Sequence, residues 1–201
     1  MKIDVEQCPY YEDEKLYDYK TVNFPLGLTV LVGRNGSGKT TLIKQIERKV
    51  EKRKGYTLIK FDNYNDGGSQ SVNDRLFHGD MDTVAALWTA SEGQRIGVNV
   101  GNTISVVGRA IRNMKPKEKL VVLMDAVDSG LSLDTIVEVK EVFDLIVNDC
   151  KEREIEAYII VSANGYEFPN GSNCLDITSG KFVTFENYDE YRNYILKDKS
   201  K

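Results

Sequence analysis

The chain has 201 residues, of which 41% are hydrophobic and 29% are charged, and its formal net charge is −4. This length predicts one domain over residues 1–201 with enough apolar material for a buried core. The negative charge argues against a surface that grips nucleic acid everywhere, and no run approaches the ~18 apolar residues that span a bilayer. Three cysteines without a CxxC pair disfavour a disulfide framework or a zinc site and predict a cytoplasmic protein.

The hydrophobic pattern predicts strands that alternate with helices. The first 25 residues predict one or two short strands, and residues 62–77 predict mainly loop. Short apolar runs predict buried strands at 28–32, 56–61, 120–124 and 157–161. Helices are predicted at 40–53, 82–90, 91–114, 132–153 and 188–196, and a hairpin at 174–178 and 181–185. The order predicts an α/β fold, with a mostly parallel sheet between helices, an antiparallel N-terminal portion, and a short C-terminal hairpin and helix.

A glycine-rich motif connects the first buried strand to the first long helix. It matches GxxxxGK[ST] in full, in the strand-to-helix context that the motif requires. Its backbone N–H groups and the helix N-terminus would cradle phosphates, Lys39 would reach the β- and γ-phosphates, and the Thr40 hydroxyl would bind Mg²⁺. The predicted nucleotide-binding residues here are Gly33, Arg34, Asn35, Gly36, Ser37, Gly38, Lys39, Thr40 and Thr41.

An acid ends the apolar strand at 120–124. Asp125 is the expected second magnesium residue, acting with Thr40 or through a bound water. The alternative is an ordinary strand that ends in Asp at a turn. Because the glycine-rich motif lies upstream, we interpret Asp125 as a nucleotide-site carboxylate.

Two further segments suggest a family. Residues 125–132, Asp-Ala-Val-Asp-Ser-Gly-Leu-Ser, resemble the magnesium strand and D-loop of ABC/SMC-type ATPase heads, and Ser91-Glu92-Gly93-Gln94 resembles their signature. The resemblance covers about residues 28–165 and implies a P-loop NTPase fold of the ABC type, with a helical signature region at about 72–115. It also implies that Ser91, Gly93 and Gln94 contact ATP held by a second copy, in an ATP-dependent homodimer.

The sequence departs from this family in two places. The family's catalytic glutamate follows the magnesium aspartate, whereas this chain has Ala126, either natively or by engineering. The family's switch histidine falls on Ala163 or Asn164. Candidate substitutes for the missing base are Asp128 and, across the dimer, Glu92. For Asp128, a loop acid that caps the next helix or pairs with an arginine is the alternative.

Other candidates are less specific. Gln70 would be the family's Q-loop glutamine, near Mg²⁺ and the attacking water, or else a solvated loop residue. Tyr17 or Tyr19 would stack on adenine, or fall near the loop by chance among eleven tyrosines. Arg34 would contact phosphate or the opposite subunit, or stay solvated.

No long heptad arm separates Gln70 from Ser91, so the chain resembles small ABC-like ATPases of bacteria and their viruses, in which Ala126 would be native. The first hypothesis is a slow, magnesium-dependent ATPase that acts as a dimerising switch, with output to an unidentified protein partner or to DNA. No basic stripe supports DNA binding, and no membrane role is expected. The second is a non-hydrolysing, ATP-sensing regulatory subunit. The third, a P-loop kinase of a small metabolite, does not need the segments at 91–94 and 129–132.

Overall fold

The computed structural model describes residues 1–10, 15–63 and 91–197, and for residue 92 the backbone alone. The described strands are β1 (Lys2–Asp4), β2 (Thr21–Asn23), β3 (Gly27–Val32), β4 (Tyr56–Asp62), β5 (Lys119–Asp125), β6 (Glu156–Ser162), β7 (Asn173–Asp176) and β8 (Phe182–Val183). The described helices are α1 (Lys39–Val50), α2 (Glu92–Asn113), α3 (Leu133–Glu152) and α4 (Tyr188–Lys197).

The main sheet has six described strands in the order β4-β5-β6-β3-β7-β8. The first five pair in parallel, and β8 pairs antiparallel to β7. β1 and β2 form a separate antiparallel pair. The predicted α/β fold with a mostly parallel sheet between helices is therefore confirmed. The predicted helix at 82–90 and all but the first two residues of the predicted loop at 62–77 lie outside the described residues.

Both faces of the sheet are covered, as a parallel sheet requires. Successive strand residues point to opposite faces, so neighbours in β5 belong to different cores. Val122 joins the cluster that contains Phe143 of α3, whereas Leu123 joins the cluster that contains Leu42 of α1. The helices α2 and α3 thus cover one face, and α1 with the β1–β2 pair covers the other.

The parallel arrangement brings the carboxyl ends of five strands to one edge of the sheet. In the register, Leu31 pairs with Ser162, Val32 with Asp176, and Asp62 with Asp125. The loops that follow β3, β4, β5 and β6 therefore start close together, which is where ligands bind in open α/β sheets. Within the part of the chain that the structure describes, no helix is both long and apolar enough to cross a membrane.

Candidate functional site

The glycine-rich loop, residues 33–40, curls between β3 and α1. Gly38 has φ +97° and stands directly before the helix, and a Cβ there would lie 2.7 Å from Leu16 Cδ2. Gly33 is also closely covered, since a Cβ would lie 2.5 Å from Ile177 Cγ2. Both positions therefore require glycine for conformation or space. Two glycines of the motif are therefore explained by the fold of the loop itself, without reference to a ligand.

Lys39 is buried against this loop. Its Nζ donates to the carbonyl oxygens of Gly33, at 2.7 Å, and Arg34, at 3.2 Å. Burial lowers the pKa of the Lys39 ammonium, while the charges of Asp128 and Asp125 act to raise it. The loop therefore holds a partly desolvated cation inside its own curve, where it can attract an anion.

Asp125 is the last residue of β5, and a hydrogen bond from the neighbouring strand β6 orients its carboxylate. Ser162 Oγ, at the end of β6, donates to Asp125 Oδ1 at 2.5 Å and accepts from the Ala126 N–H at 2.8 Å. Asp125 and Ser162 are both buried. A carboxylate has two oxygens, so the bond at Oδ1 leaves capacity for a further partner. Ser162 was not among the predicted site residues. The sequence offered one indication of its role, a hydroxyl group directly after a predicted apolar strand.

The residue after Asp125 has an uncommon backbone conformation. Ala126 has φ +50°, in the left-handed region that a non-glycine residue seldom adopts. Its carbonyl oxygen accepts from the Ser129 N–H at 3.0 Å and from the side-chain amide of Asn63 at 2.9 Å. Asn63 was not among the predicted site residues, because only the pairing of β4 with β5 brings it beside Asp125.

Asp128 is engaged by the loop that follows β6. Its Oδ1 and Oδ2 accept from the Asn164 N–H at 3.0 and 2.8 Å, and Oδ2 accepts from the Gly165 N–H at 2.6 Å. The Asn164 side-chain amide in turn donates to Ser129 Oγ at 3.1 Å. These bonds resemble a cap, although the capped segment is the loop after β6 rather than the next helix. The role of Asp128 as a general base stays a prediction.

A cavity of about 420 Å³ joins these groups. This volume lies within the range of about 300–1,000 Å³ that is usual for small-molecule sites. Two predicted magnesium residues, Thr40 and Asp125, line the same cavity as Lys39, and Ala126, Ser162 and Asn164 line it too. The described lining residues are Tyr10, Leu16, Arg34, Asn35, Gly36, Gly38, Lys39, Thr40, Thr41, Asp125, Ala126, Ser162 and Asn164.

The aromatic residue of the cavity is not one that the sequence suggested. Tyr17 is buried and donates its hydroxyl to the Gly38 carbonyl at 2.8 Å, and its ring packs near that of Tyr19. Neither ring is among the described lining residues. Instead Tyr10, 69% exposed, lines the cavity, and its hydroxyl lies 2.7 Å from Thr41 Oγ1. Tyr10, rather than Tyr17 or Tyr19, is therefore the described aromatic residue that lines the cavity.

The predicted signature residues begin α2. Ser91 is the N-cap: its Oγ accepts from the Gln94 N–H, and the Gln94 side chain accepts from the Ser91 N–H. Gly93 lies against the loop after β5, since a Cβ there would be 2.5 Å from the Gly130 carbonyl oxygen. None of these three is among the described residues that line the cavity.

The remaining predicted residues have separate outcomes. Gln70 lies outside the described residues, as does the side chain of Glu92. Ser37 Oγ is buried without a hydrogen-bond partner among the described residues. Arg34 and Asn35 line the cavity and also a second one of about 290 Å³, on the side of the loop that faces Tyr191 and Ile195 of α4.

A comparison with family models finds a match to part of this chain. Residues 24–99 match the family described as ABC transporter. The match includes the glycine-rich loop and Ser91–Gln94 and covers less than half of the 201 residues. It supports an ABC-type P-loop ATPase and, with it, nucleotide binding. The resemblance over residues 125–132 falls outside the match and stays a prediction. No curated protein matches the chain.

A comparison with solved structures gives a distant likeness. One similar chain belongs to a structure described as "Structure of E. coli MS115-1 HORMA:CdnC:Trip13 complex". The two chains are 19% identical, with a TM-score of 0.42, over 87% of this chain and 54% of the other. The present chain therefore spans about half the length of that one.

Proposed function

We propose that this chain binds Mg·ATP in the 420 Å³ cavity and acts as an ATP-driven dimerising switch with slow turnover. One observation carries the proposal: Lys39, Thr40 and Asp125 line the same cavity, although Asp125 is more than eighty residues further along the chain. A lysine, a hydroxyl and a carboxylate are the groups that hold the phosphates and magnesium of a nucleotide in P-loop proteins.

The residues that line the cavity are of two chemical kinds. Lys39 and Asp125 suit the phosphates and their magnesium ion. Tyr10 and Leu16 offer an aromatic and an aliphatic surface, and stacking on an aromatic face suits a nucleobase. We propose that the base lies toward Tyr10. When bound, Mg²⁺ would neutralise phosphate charge, with Thr40 and Asp125 as its protein residues and Gln70 as a further candidate by resemblance.

Slow turnover is proposed because the described residues of the site offer no general base in place of the family's glutamate. Ala126 offers no carboxylate, and both Asp128 oxygens already accept backbone N–H bonds. General-base help is typically worth about 10²–10⁴-fold in rate. The same observation favours the alternative function, a regulatory subunit that senses ATP without hydrolysing it.

The position of the signature residues is compatible with the proposed dimer. Ser91, Gly93 and Gln94 pack beside the loop after β5 and do not line the cavity of their own chain, as far as the structure describes it. We propose that they reach the γ-phosphate held by a second copy, with the α2 N-terminus directed at the anion. Output to a protein partner or to DNA, and a cytoplasmic location, belong to the same proposal.

Calorimetry with Mg·ATP tests the binding step. We expect Lys39→Ala to weaken binding by about 10- to 150-fold, the equivalent of losing about 1.5–3 kcal/mol of charged hydrogen bonding. The matched control Lys44→Ala removes an exposed lysine from the same helix and should bind like the wild type. Equal affinity in Lys39→Ala would contradict binding in this cavity.

Sedimentation and phosphate release then distinguish the two candidate functions. A dimer that appears only with Mg·ATP, together with turnover that rises faster than protein concentration, supports the slow ATPase. A dimer without turnover above the Lys39→Ala blank supports the sensing subunit. A monomer at all concentrations with bound Mg·ATP would contradict the dimerising switch in both forms.

A further inference from the structure

Asn63 connects the end of β4 to the turn that follows β5. It directly follows β4, whose last residue, Asp62, pairs with Asp125 of β5. Its side chain is buried, and Nδ2 donates to the carbonyl oxygens of Ala126 at 2.9 Å and Ser129 at 2.8 Å. One side-chain amide therefore holds both ends of the turn that follows Asp125.

That turn contains the left-handed Ala126. A left-handed conformation costs a non-glycine residue energy and persists where the surroundings over-determine it. Here the Ala126 peptide groups are held on both sides: the N–H donates to Ser162 Oγ at 2.8 Å, and the carbonyl accepts from Asn63. Ser162 also orients the Asp125 carboxylate. The direction of Asp125 and the shape of the turn are therefore set together.

We propose that Asn63 is a positioning residue for magnesium-dependent ATP binding. It fixes residues 126–129 and, through the Ala126 peptide and Ser162, the direction in which Asp125 presents its carboxylate. This inference rests on the proposed function, because it assigns Asn63 to the metal side of the same site. Asn63 acts through Asp125 and contacts neither the metal nor the nucleotide in this role.

The chemistry of the side chain explains why an amide suits this position. A primary amide carries two N–H donors on one nitrogen and can serve two carbonyl oxygens at once. An aspartate has the same shape without a donor, and it would set a negative charge against both carbonyls and beside Asp62 and Asp125. Asn63→Asp therefore removes the two hydrogen bonds with little change in side-chain volume. We expect residues 126–129 to move away from residue 63 as a result.

The test measures ATP affinity with Mg²⁺ and with EDTA for the wild type, Asn63→Asp and the control Asn102→Asp. Asn102 is an exposed residue of α2, so its variant makes the same chemical change away from the site. We expect Mg²⁺ to tighten ATP binding in the wild type and the control, and this gain to fall by about tenfold in Asn63→Asp. Affinity in EDTA should stay at the wild-type value, because Lys39 and the glycine-rich loop are untouched.

Asn63→Ala is the second variant, since it removes the donors without adding charge and keeps the test valid if Asn63→Asp does not fold. An equal loss of affinity in EDTA and in Mg²⁺ would show a general structural defect and overturn the inference. An unchanged magnesium gain in both variants would overturn it too, while leaving the proposed function intact. If the wild type bound no ATP, the proposed function would fail, and this inference with it.

Discussion

The presence of glycine at position 93 has two possible explanations, one chemical and one steric. The resemblance assigns Gly93 to a phosphate on a second copy, whereas the structure packs it 2.5 Å, measured from a built Cβ, from the Gly130 carbonyl oxygen. A backbone oxygen cannot rotate away as a side chain can. The steric reason is sufficient for glycine at this position, so the identity of Gly93 alone does not argue for ligand contact.

Stability measurements can separate Gly93 from another glycine of the same helix. We expect Gly93→Ala to lower the free energy of unfolding by about 1–3 kcal/mol, because the added methyl group overpacks the contact with Gly130. Gly101→Ala is the matched control: a Cβ there meets nothing within 4 Å, so helix propensity should raise stability by about 0.5–1 kcal/mol. Urea unfolding of both variants checks this, and equal effects of the two substitutions would contradict the contact.

Among the elements of the fold, α2 begins at residues with two tasks. One is structural, the capping of the helix, and the other is the proposed contact with a phosphate. The helix has 22 residues, and a complete capping box satisfies the N–H groups of Ser91 and Gln94 at its start. The Ser91 hydroxyl that would meet a phosphate is the one that caps the helix. A loss of activity on removing Ser91 would therefore have two causes.

Two substitutions at Ser91 distinguish these causes. Ser91→Ala should cost about 1 kcal/mol of stability because the cap is lost. Ser91→Asp keeps a good N-cap and should preserve stability, but it places a negative charge at the helix N-terminus that would face the phosphate. If Ser91 meets the nucleotide of a second copy, sedimentation with Mg·ATP should show a weakened dimer in both variants. A wild-type dimer in Ser91→Asp would argue for capping alone.

The sequence predicted elements better than it predicted contacts between them. Each strand and helix predicted within the described ranges from residue 28 onward is present, with ends that differ by at most three residues, because apolar periodicity and the loop glycines are local signals. Asn63 and Ser162 were missed because their roles arise from pairing β4 and β6 with β5, across gaps of 63 and 36 residues. Tyr10 was missed for a similar reason, since only packing distinguishes it from Tyr17.

At the scale of the whole molecule, the described residues form two hydrophobic cores on opposite faces of one sheet, and the helix α4 is attached to the edge of the sheet where the site lies. Tyr191 of α4 is buried against Phe185 and Tyr166 and donates its hydroxyl to the Asn164 carbonyl at 3.2 Å. The loop that holds Asp128 is therefore held in turn by α4.

This attachment predicts a loss of stability at high pH. Burial first, and then the charge of Asp128, raise the pKa of Tyr191 to about 12, whereas an unfolded tyrosine titrates near 10. The folded state thus favours the protonated form, so its contribution is complete below about pH 10 and is lost as the pH rises toward 12. The decline also includes Tyr158 and Cys174, whose pKa values burial likewise raises to about 12.

Tyr191→Phe isolates this contribution. We expect it to lower the free energy of unfolding at neutral pH by about 0.5–1.5 kcal/mol, the net value of one hydrogen bond. Its decline between about pH 10 and 12 should be shallower than that of the wild type, because one titrating group is gone. Tyr188→Phe, at a 56% exposed position of the same helix, is the control. Parallel curves for Tyr191→Phe and the wild type would contradict the prediction.

The left-handed backbone at Ala126 also matters for protein engineering. If the proposed ATPase activity exists, replacing Ala126 by Glu looks like a one-step route to faster hydrolysis, because it introduces the side chain that the family resemblance leads one to expect. The new side chain would, however, project from a backbone with φ +50°, which hydrogen bonds to Ser162 and Asn63 hold on both sides. Its carboxylate would be aimed by that backbone rather than by its own rotamers alone. Redesign of this site is therefore a problem of peptide geometry as much as of side-chain chemistry.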